Sequence, residues 1–297
     1  MISSKDKLKE KKEVPMEKTT QGTLYVLIAM VLFSTGGLFI KLINANAYTI
    51  TFGRAFIAGL IFLPLIQWKK FRFSKNYLGL VIGYCYLCIM FVLTTKITTA
   101  ANAIILQCTA PLWLYLYYVI RGKKIIGREL IPRLFILIGI IVIFSASAGG
   151  NRWGDLLALS NGVAYALVQH FMDKEYPASD NSIIGLNNII LCLVILGLFS
   201  TQLDFSGLSM AGWLGLIFLG VFQIGVSYLV FFKGVRMISA LKASMVSLLE
   251  PILNPIFVFF FVGEIPAVNS LIGFGIILLG IALTMLPMKN VDQIEEC

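Results

Sequence analysis

Apolar runs of about 20 residues recur from residue 22 to residue 287 with only short connections between them. Each is long enough to cross a bilayer core of roughly 30 Å as a helix. Read against their breaks, they give ten segments: 22–43, 48–66, 77–95, 100–120, 130–149, 154–172, 182–201, 212–232, 241–262 and 268–287. The second is interrupted by Pro64, the fourth by Pro111 and the ninth by Pro251 and Pro255. With 58% hydrophobic and 13% charged residues, a water-soluble fold would expose wide apolar patches. The expected fold class is an all-α polytopic membrane protein with ten transmembrane helices, and the lipid bilayer is its first partner. The first run is too long for a signal-peptide core and has no A-x-A cleavage site, so it reads as a retained span.

The basic residues orient the spans, because short cytoplasmic loops gather Lys and Arg. With the N-terminus inside, Lys69, Lys70, Arg72 and Lys75 fall in one cytoplasmic loop, and Arg121, Lys123, Lys124, Arg128 and Arg133 in another. Of the 24 Lys and Arg, only Lys41, Lys96 and Arg152 then face outside, and Arg54 lies within a span. Both termini are expected to be cytoplasmic. The net charge of +9 is thereby explained by topology rather than by nucleic-acid binding. The loops TQLDFSGLSMAG and VGEIPAVNS contain no Lys or Arg, yet their counterparts in the first half are the two most basic loops. Equivalent loops on opposite faces are the mark of an inverted repeat of five spans.

Placing Pro111 over Pro251 aligns KITTAANAIILQCTAPLW with RMISALKASMVSLLEPIL, so that Lys96 meets Arg236, Ala103 meets Ala243 and Gln107 meets Ser247. The chain resembles two EamA repeats of the drug/metabolite transporter superfamily over nearly all of 22–287. The resemblance rests on TTAANAIILQCTAP, on SALKASMVSLLEPILNPIFVFFFVGEIP, on the glycine-rich LIGFGIILLGIAL and on the Arg of TFGRAFIAG. The first half departs from the family pattern, with RGKK where a Gly-Glu turn is usual. The resemblance implies two inverted five-helix repeats carrying small polar metabolites, often outward, in a bacterial cell membrane. The expected organisation is a cytoplasmic basic tail at 1–21, repeats at 22–149 and 150–287, and a cytoplasmic tail at 288–297.

The stretch SLLEPILNP, Ser247 to Pro255, sets an acid, an amide and two prolines inside an apolar run. On a continuous helix Ala243, Ser247, Glu250 and Asn254 share one face, with Leu248, Leu249, Ile252 and Leu253 turned away. Glu250 is about nine residues into its span, roughly 14 Å deep at 1.5 Å per residue. A carboxylate at that depth must face the bundle or a wet cavity rather than lipid. It either pairs with a neighbouring helix, with Pro251 a packing kink, or binds substrate and exchanges a coupling proton.

The other substrate-binding candidates are Gln107, on the matching face of the fourth span, and Ser34, beside Gly36 and Gly37 in the first. Asn161 and Tyr165 belong to a stripe that continues to Gln169 in the sixth span, and Gln223 and Tyr228 lie in the eighth. An interhelical hydrogen bond is the alternative use of Gln107, and helix packing that of the glycines, including Gly79 and Gly83. Arg54 snorkels to the interface, attracts an anionic group or pairs with Glu250. His170, near a helix end, reads as an interfacial residue.

One His, a lone C-x-x-C (Cys85 and Cys88) inside a span and no carboxylate pair argue against catalysis, metal and cofactor. The absence of a nucleotide motif argues against ATP-driven transport. The expectation is a secondary transporter, not an enzyme, that exports a small polar metabolite such as an amino acid or an amine by alternating access around a central cavity. Proton coupling through Glu250 is the open question. The alternative is a flippase of a lipid-linked or amphipathic molecule, with an intramembrane enzyme less favoured. Two complete repeats in one chain are compatible with a monomer or a weak homo-oligomer.

Overall fold

The computed structural model describes residues 16–122, 127–145, 151–172, 174 and 176–285. Of the expected N-terminal tail at 1–21, residues 1–15 lie outside the described residues, as do 288–297, Lys123 and Lys124, whereas residues 16–21 are not a separate tail but open the first helix. Among the described residues all regular structure is helical. The α-helices are α1 (Met16–Leu42), α2 (Ala47–Phe62), α3 (Lys75–Ile97), α4 (Ala100–Gln107), α5 (Ala110–Ile120), α6 (Gly127–Ser145), α7 (Arg152–Met172) and α8 (Asp180–Phe199). They continue as α9 (Met210–Phe218), α10 (Ser227–Val235), α11 (Ala240–Ser247), α12 (Leu249–Val262) and α13 (Val268–Thr284).

These helices fall on the expected segments within a few residues at each end. Among the described residues seven units are long and apolar enough to cross a membrane: α1, α2 with its terminal 3₁₀ turn, α3, α4–α5, α8 with its 3₁₀ turn, α9–α10 and α11–α12. The remaining segments differ in kind. α13 is apolar but shorter. α6 carries Arg128, Glu129 and Arg133 in its first turns, and α7 carries Arg152, Asp155 and a polar stripe.

The interruptions follow from proline chemistry. Proline has no N–H and crowds the carbonyl four residues before it. α4 ends at Gln107, four residues before Pro111, and α11 ends at Ser247, four residues before Pro251. At Pro64 the second segment tightens into a 3₁₀ turn over Leu63–Leu65. Pro255, by contrast, sits within α12 without ending it. Its crowded carbonyl belongs to Pro251, in the first helical turn. Between α9 and α10 the chain widens into a π-helix over Leu219–Val226, which no proline announces. The Ser227 hydroxyl donates to the Phe222 carbonyl at 2.7 Å within it.

Packing follows a two-fold pattern between the halves. α1 packs on α12 and on α10; correspondingly, α7 packs on α4 and on α3. α2 pairs with its equivalent α8, and α6 with its equivalent α13. The α6–α13 crossing is backbone on backbone. A Cβ on Gly139 would stand 2.8 Å from the Gly273 carbonyl, and one on Gly273 would stand 2.7 Å from that of Gly139. Small residues at such crossings let helices approach where lipid supplies no hydrophobic drive between them. Gly79 and Gly83 act similarly, giving room to Phe171 and Val168 of α7.

Candidate functional site

The two broken segments meet around a cavity of about 390 Å³. From α4 and α5 it is lined by Ile104, Gln107, Cys108 and Pro111. From α11 and α12 come Ala243, Ser244, Ser247, Leu248, Glu250 and Pro251. The remaining wall is Phe33, Leu87, Tyr165, Gln169, Tyr228, Phe231, Ile281 and Met285. Pro111 and Pro251 have no N–H to give the carbonyls of Gln107 and Ser247, and both of those residues border the cavity. Freed carbonyls are tolerated in a membrane protein where protein or cavity water can satisfy them. Glu250 is the one charged side chain in the wall. Among the described residues no ion pair or hydrogen bond engages its carboxylate; Lys41–Glu264 and Arg236–Asp180 are ion pairs elsewhere in the chain.

Six of the ten candidates gather here. Glu250, Gln107, Ser247, Tyr165 and Tyr228 line the cavity, and Asn161 stands just behind it. The Asn161 Nδ2 donates to the Gln107 Oε1 at 2.8 Å, so Gln107 serves both the wall and the α4–α7 contact. The Ser247 hydroxyl donates back to the Ala243 carbonyl at 2.9 Å.

The other four lie elsewhere. Asn254 is 1% exposed and faces α1 at Gly37, because the glycine lets α1 close over that turn of α12. Gln223 packs against Gly36 in the same manner. The two adjacent glycines of α1 thus each admit one buried amide. Ser34 is fully buried, and its hydroxyl donates to the Met30 carbonyl at 2.5 Å, with the Glu250 carbonyl at 3.4 Å. Arg54 does not snorkel. It is 3% exposed, donates from Nη2 to the Cys88 carbonyl at 3.2 Å and lies 5.9 Å from the Phe91 ring centre.

Leu248, expected to point away, lines the cavity because the helix breaks at that residue. Phe33, Phe231 and Met285 were not singled out from the sequence, since apolar residues in apolar runs carry no local mark. His170 stands at the end of α7, its Nδ1 3.0 Å from the Tyr118 hydroxyl. Cys85 and Cys88 are buried within α3.

The end of the bundle that carries Lys41 is closed by a polar clamp. α12 ends at Gly263, whose φ of +77° is left-handed and suits glycine. The turn presents Glu264 to the N-terminus of α4, where its Oε1 accepts from the Ala100 N–H at 2.6 Å. Its Oε2 pairs with the Lys41 Nζ at 2.6 Å, and the same Nζ donates to the Thr98 carbonyl at 2.8 Å. Beside it the Thr98 hydroxyl and the Asn102 amide both donate to Asp155 Oδ1, at 2.6 and 3.0 Å. None of these residues borders the cavity. The cavity reaches from the helix breaks toward the opposite end, to Gln169, Ser244 and Met285.

The EamA-like transporter family model matches this chain twice, over residues 20–145 and 152–286. The chain belongs to the EamA-like transporter family. The chain is 24% identical to an uncharacterized transporter of Clostridium kluyveri, over 93% of this chain and 96% of that one. An uncharacterized transporter of Archaeoglobus fulgidus is also 24% identical, over 88% and 95%. Uncharacterized transporter YwfM of Bacillus subtilis is 26% identical, over 90% and 95%. A solved crystal structure superposes with a TM-score of 0.59 at 18% identity, over 89% of this chain and 96% of that one, and shares the fold. The protein is therefore a multi-pass membrane protein of a transporter family, built on two EamA repeats.

Proposed function

We propose that this EamA protein is a secondary transporter that exports a small polar metabolite, an amino acid or an amine, by alternating access around the cavity at Glu250. The observation that carries the reading is one carboxylate, unpaired among the described residues, in a cavity bordered by the helix breaks of both repeats. Burying a charge without a partner is costly, and such groups inside membranes mark substrate or ion pathways. Glu250 is the group that would carry a coupling proton.

The reading includes ten spans, repeats at 22–149 and 150–287, both termini in the cytoplasm and a bacterial cell membrane. The charge pattern of the loops and the paired family matches support that arrangement. In it the Lys41–Glu264 clamp is outermost, so the cavity described here belongs to a state closed outside. A monomer or a weak homo-oligomer is compatible with two repeats in one chain.

The test compares metabolites in cells and medium for empty vector, the wild-type protein and Glu250→Gln. The expected result is a small polar metabolite enriched in the medium only with the wild type. An unchanged small-molecule profile with an altered lipid-linked fraction would replace this reading with the flippase. Equal movement by the variant would return Glu250 to a structural role.

A further inference from the structure

The cavity wall is rich in acceptors and aromatic rings and poor in cations. Besides the Glu250 carboxylate it contains Gln107 and Ser247, whose carbonyls have lost their helical donors to proline. Three backbone donors beside the breaks are bonded within the chain. The Thr109 N–H goes to the Leu106 carbonyl at 3.3 Å, Leu112 N–H to that of Thr109 at 2.9 Å, and Leu248 N–H to that of Met245 at 3.3 Å. Arg54, the basic residue within a span, is buried against Cys88 and Phe91 and does not border the cavity.

Aromatic rings line the same cavity. Phe33 meets Tyr228 edge-on at 4.9 Å and Phe231 at 6.2 Å between ring centres, and Tyr165 lines the same space. A single carboxylate sharing a cavity with aromatic rings is the chemistry that receives an organic cation, by charge pairing and by ring quadrupole.

Resting on the transporter reading, we infer that the cavity selects organic monocations. A substrate ammonium docks on Glu250 against Phe33, Tyr165 and Tyr228, and no cationic side chain lines the cavity to receive a substrate carboxylate. An ammonium offers three N–H donors, which match the carboxylate and the freed carbonyls. A zwitterion would have to exchange the water on its own carboxylate for neutral amides and hydroxyls alone, which offset that cost only in part.

Three probes that share a phenyl ring and a short chain but differ in charge test the inference: phenethylamine, phenylalanine and 3-phenylpropionate. Each is titrated calorimetrically into the full chain in lipid nanodiscs at low salt. Phenethylamine is expected to bind about 100-fold more tightly than phenylalanine, with 3-phenylpropionate weakest. Glu250→Gln is expected to weaken the amine at least about tenfold, and Glu250→Asp to keep the rank order. Equal or tighter binding of phenylalanine or 3-phenylpropionate would overturn the inference. So would unchanged amine binding in the Gln variant, or binding of none of the three. Counterflow of the same probes in proteoliposomes separates the two readings. Movement of phenylalanine without phenethylamine leaves a transporter of another substrate class, whereas amine binding without flux leaves the cation site and removes the transporter.

Discussion

At Glu250 a carboxylate occupies the cavity wall with no partner among the described residues, so neutralising it orphans no other buried group. Glu250→Gln is therefore expected to leave the melting temperature unchanged or to raise it by a few degrees, of order 1 kcal/mol, while abolishing flux. A structural ion pair would give the opposite result, with a loss of about 3–5 kcal/mol. Thermal unfolding in detergent distinguishes the two. The polar face of this stretch was legible in the sequence as far as Glu250, because helical spacing survives the break well enough to bring Ala243, Ser247 and Glu250 to one wall. Asn254 was assigned to that wall by the same spacing, but the close approach of α1 at Gly37 takes it out of reach. Spacing within one helix carries no information on where a neighbouring helix crosses. Arg54 went astray for the same reason. Its depth was visible, but not the Cys88 carbonyl and Phe91 ring that hold it inside.

Among the elements, α6 and α13 depend most on a single kind of residue. With Gly139 and Gly273 backbone to backbone, Gly139→Leu must part the helices, and a loss of roughly 1–3 kcal/mol is expected, read as a lowered melting temperature. An unchanged value would mean that the helices do not meet there. The clamp joining α1, α4 and α12 is one element in which the repeats differ. The second half ends its broken segment with left-handed Gly263 followed by Glu264; the first ends with left-handed Gly122 followed by Lys123. The acid that caps α4 thus has no acidic counterpart in the first repeat. Glu264→Gln removes the charge from that contact, worth about 1.5 kcal/mol and near tenfold in closure. In intact cells an impermeant maleimide is expected to label Cys108, which borders the cavity, about tenfold faster in this variant. Unchanged labelling would mean that the clamp does not hold the outer end. The breaks before Pro111 and Pro251 were readable from sequence because proline chemistry is local, whereas Pro255, expected to interrupt the same segment, lies inside α12. The π-helix over Leu219–Val226 was not readable, since its extra residue per turn leaves no compositional trace.

For the whole molecule, the two-repeat plan was legible because proline position repeats between the halves while loop charge reverses, and the family matches at 20–145 and 152–286 agree with two repeats. The packing partners were not legible, since a ten-segment hydropathy pattern does not say which helices touch. The pairing of α1 with α12 and of α7 with α4 supplies that, and it places both broken segments at the centre. The proposed orientation predicts that Ser206→Cys, in the exposed α8–α9 loop, reacts with an impermeant maleimide in intact cells, while Lys70→Cys reacts only after lysis. The reverse pattern would invert the protein.

The most direct test of transport through the cavity is counterflow in proteoliposomes loaded with a mixture of amines and amino acids, with mass spectrometry of the external medium. The wild type is expected to release at least one solute about tenfold or more faster than both empty liposomes and Glu250→Gln. Release that is the same in all three would contradict the account.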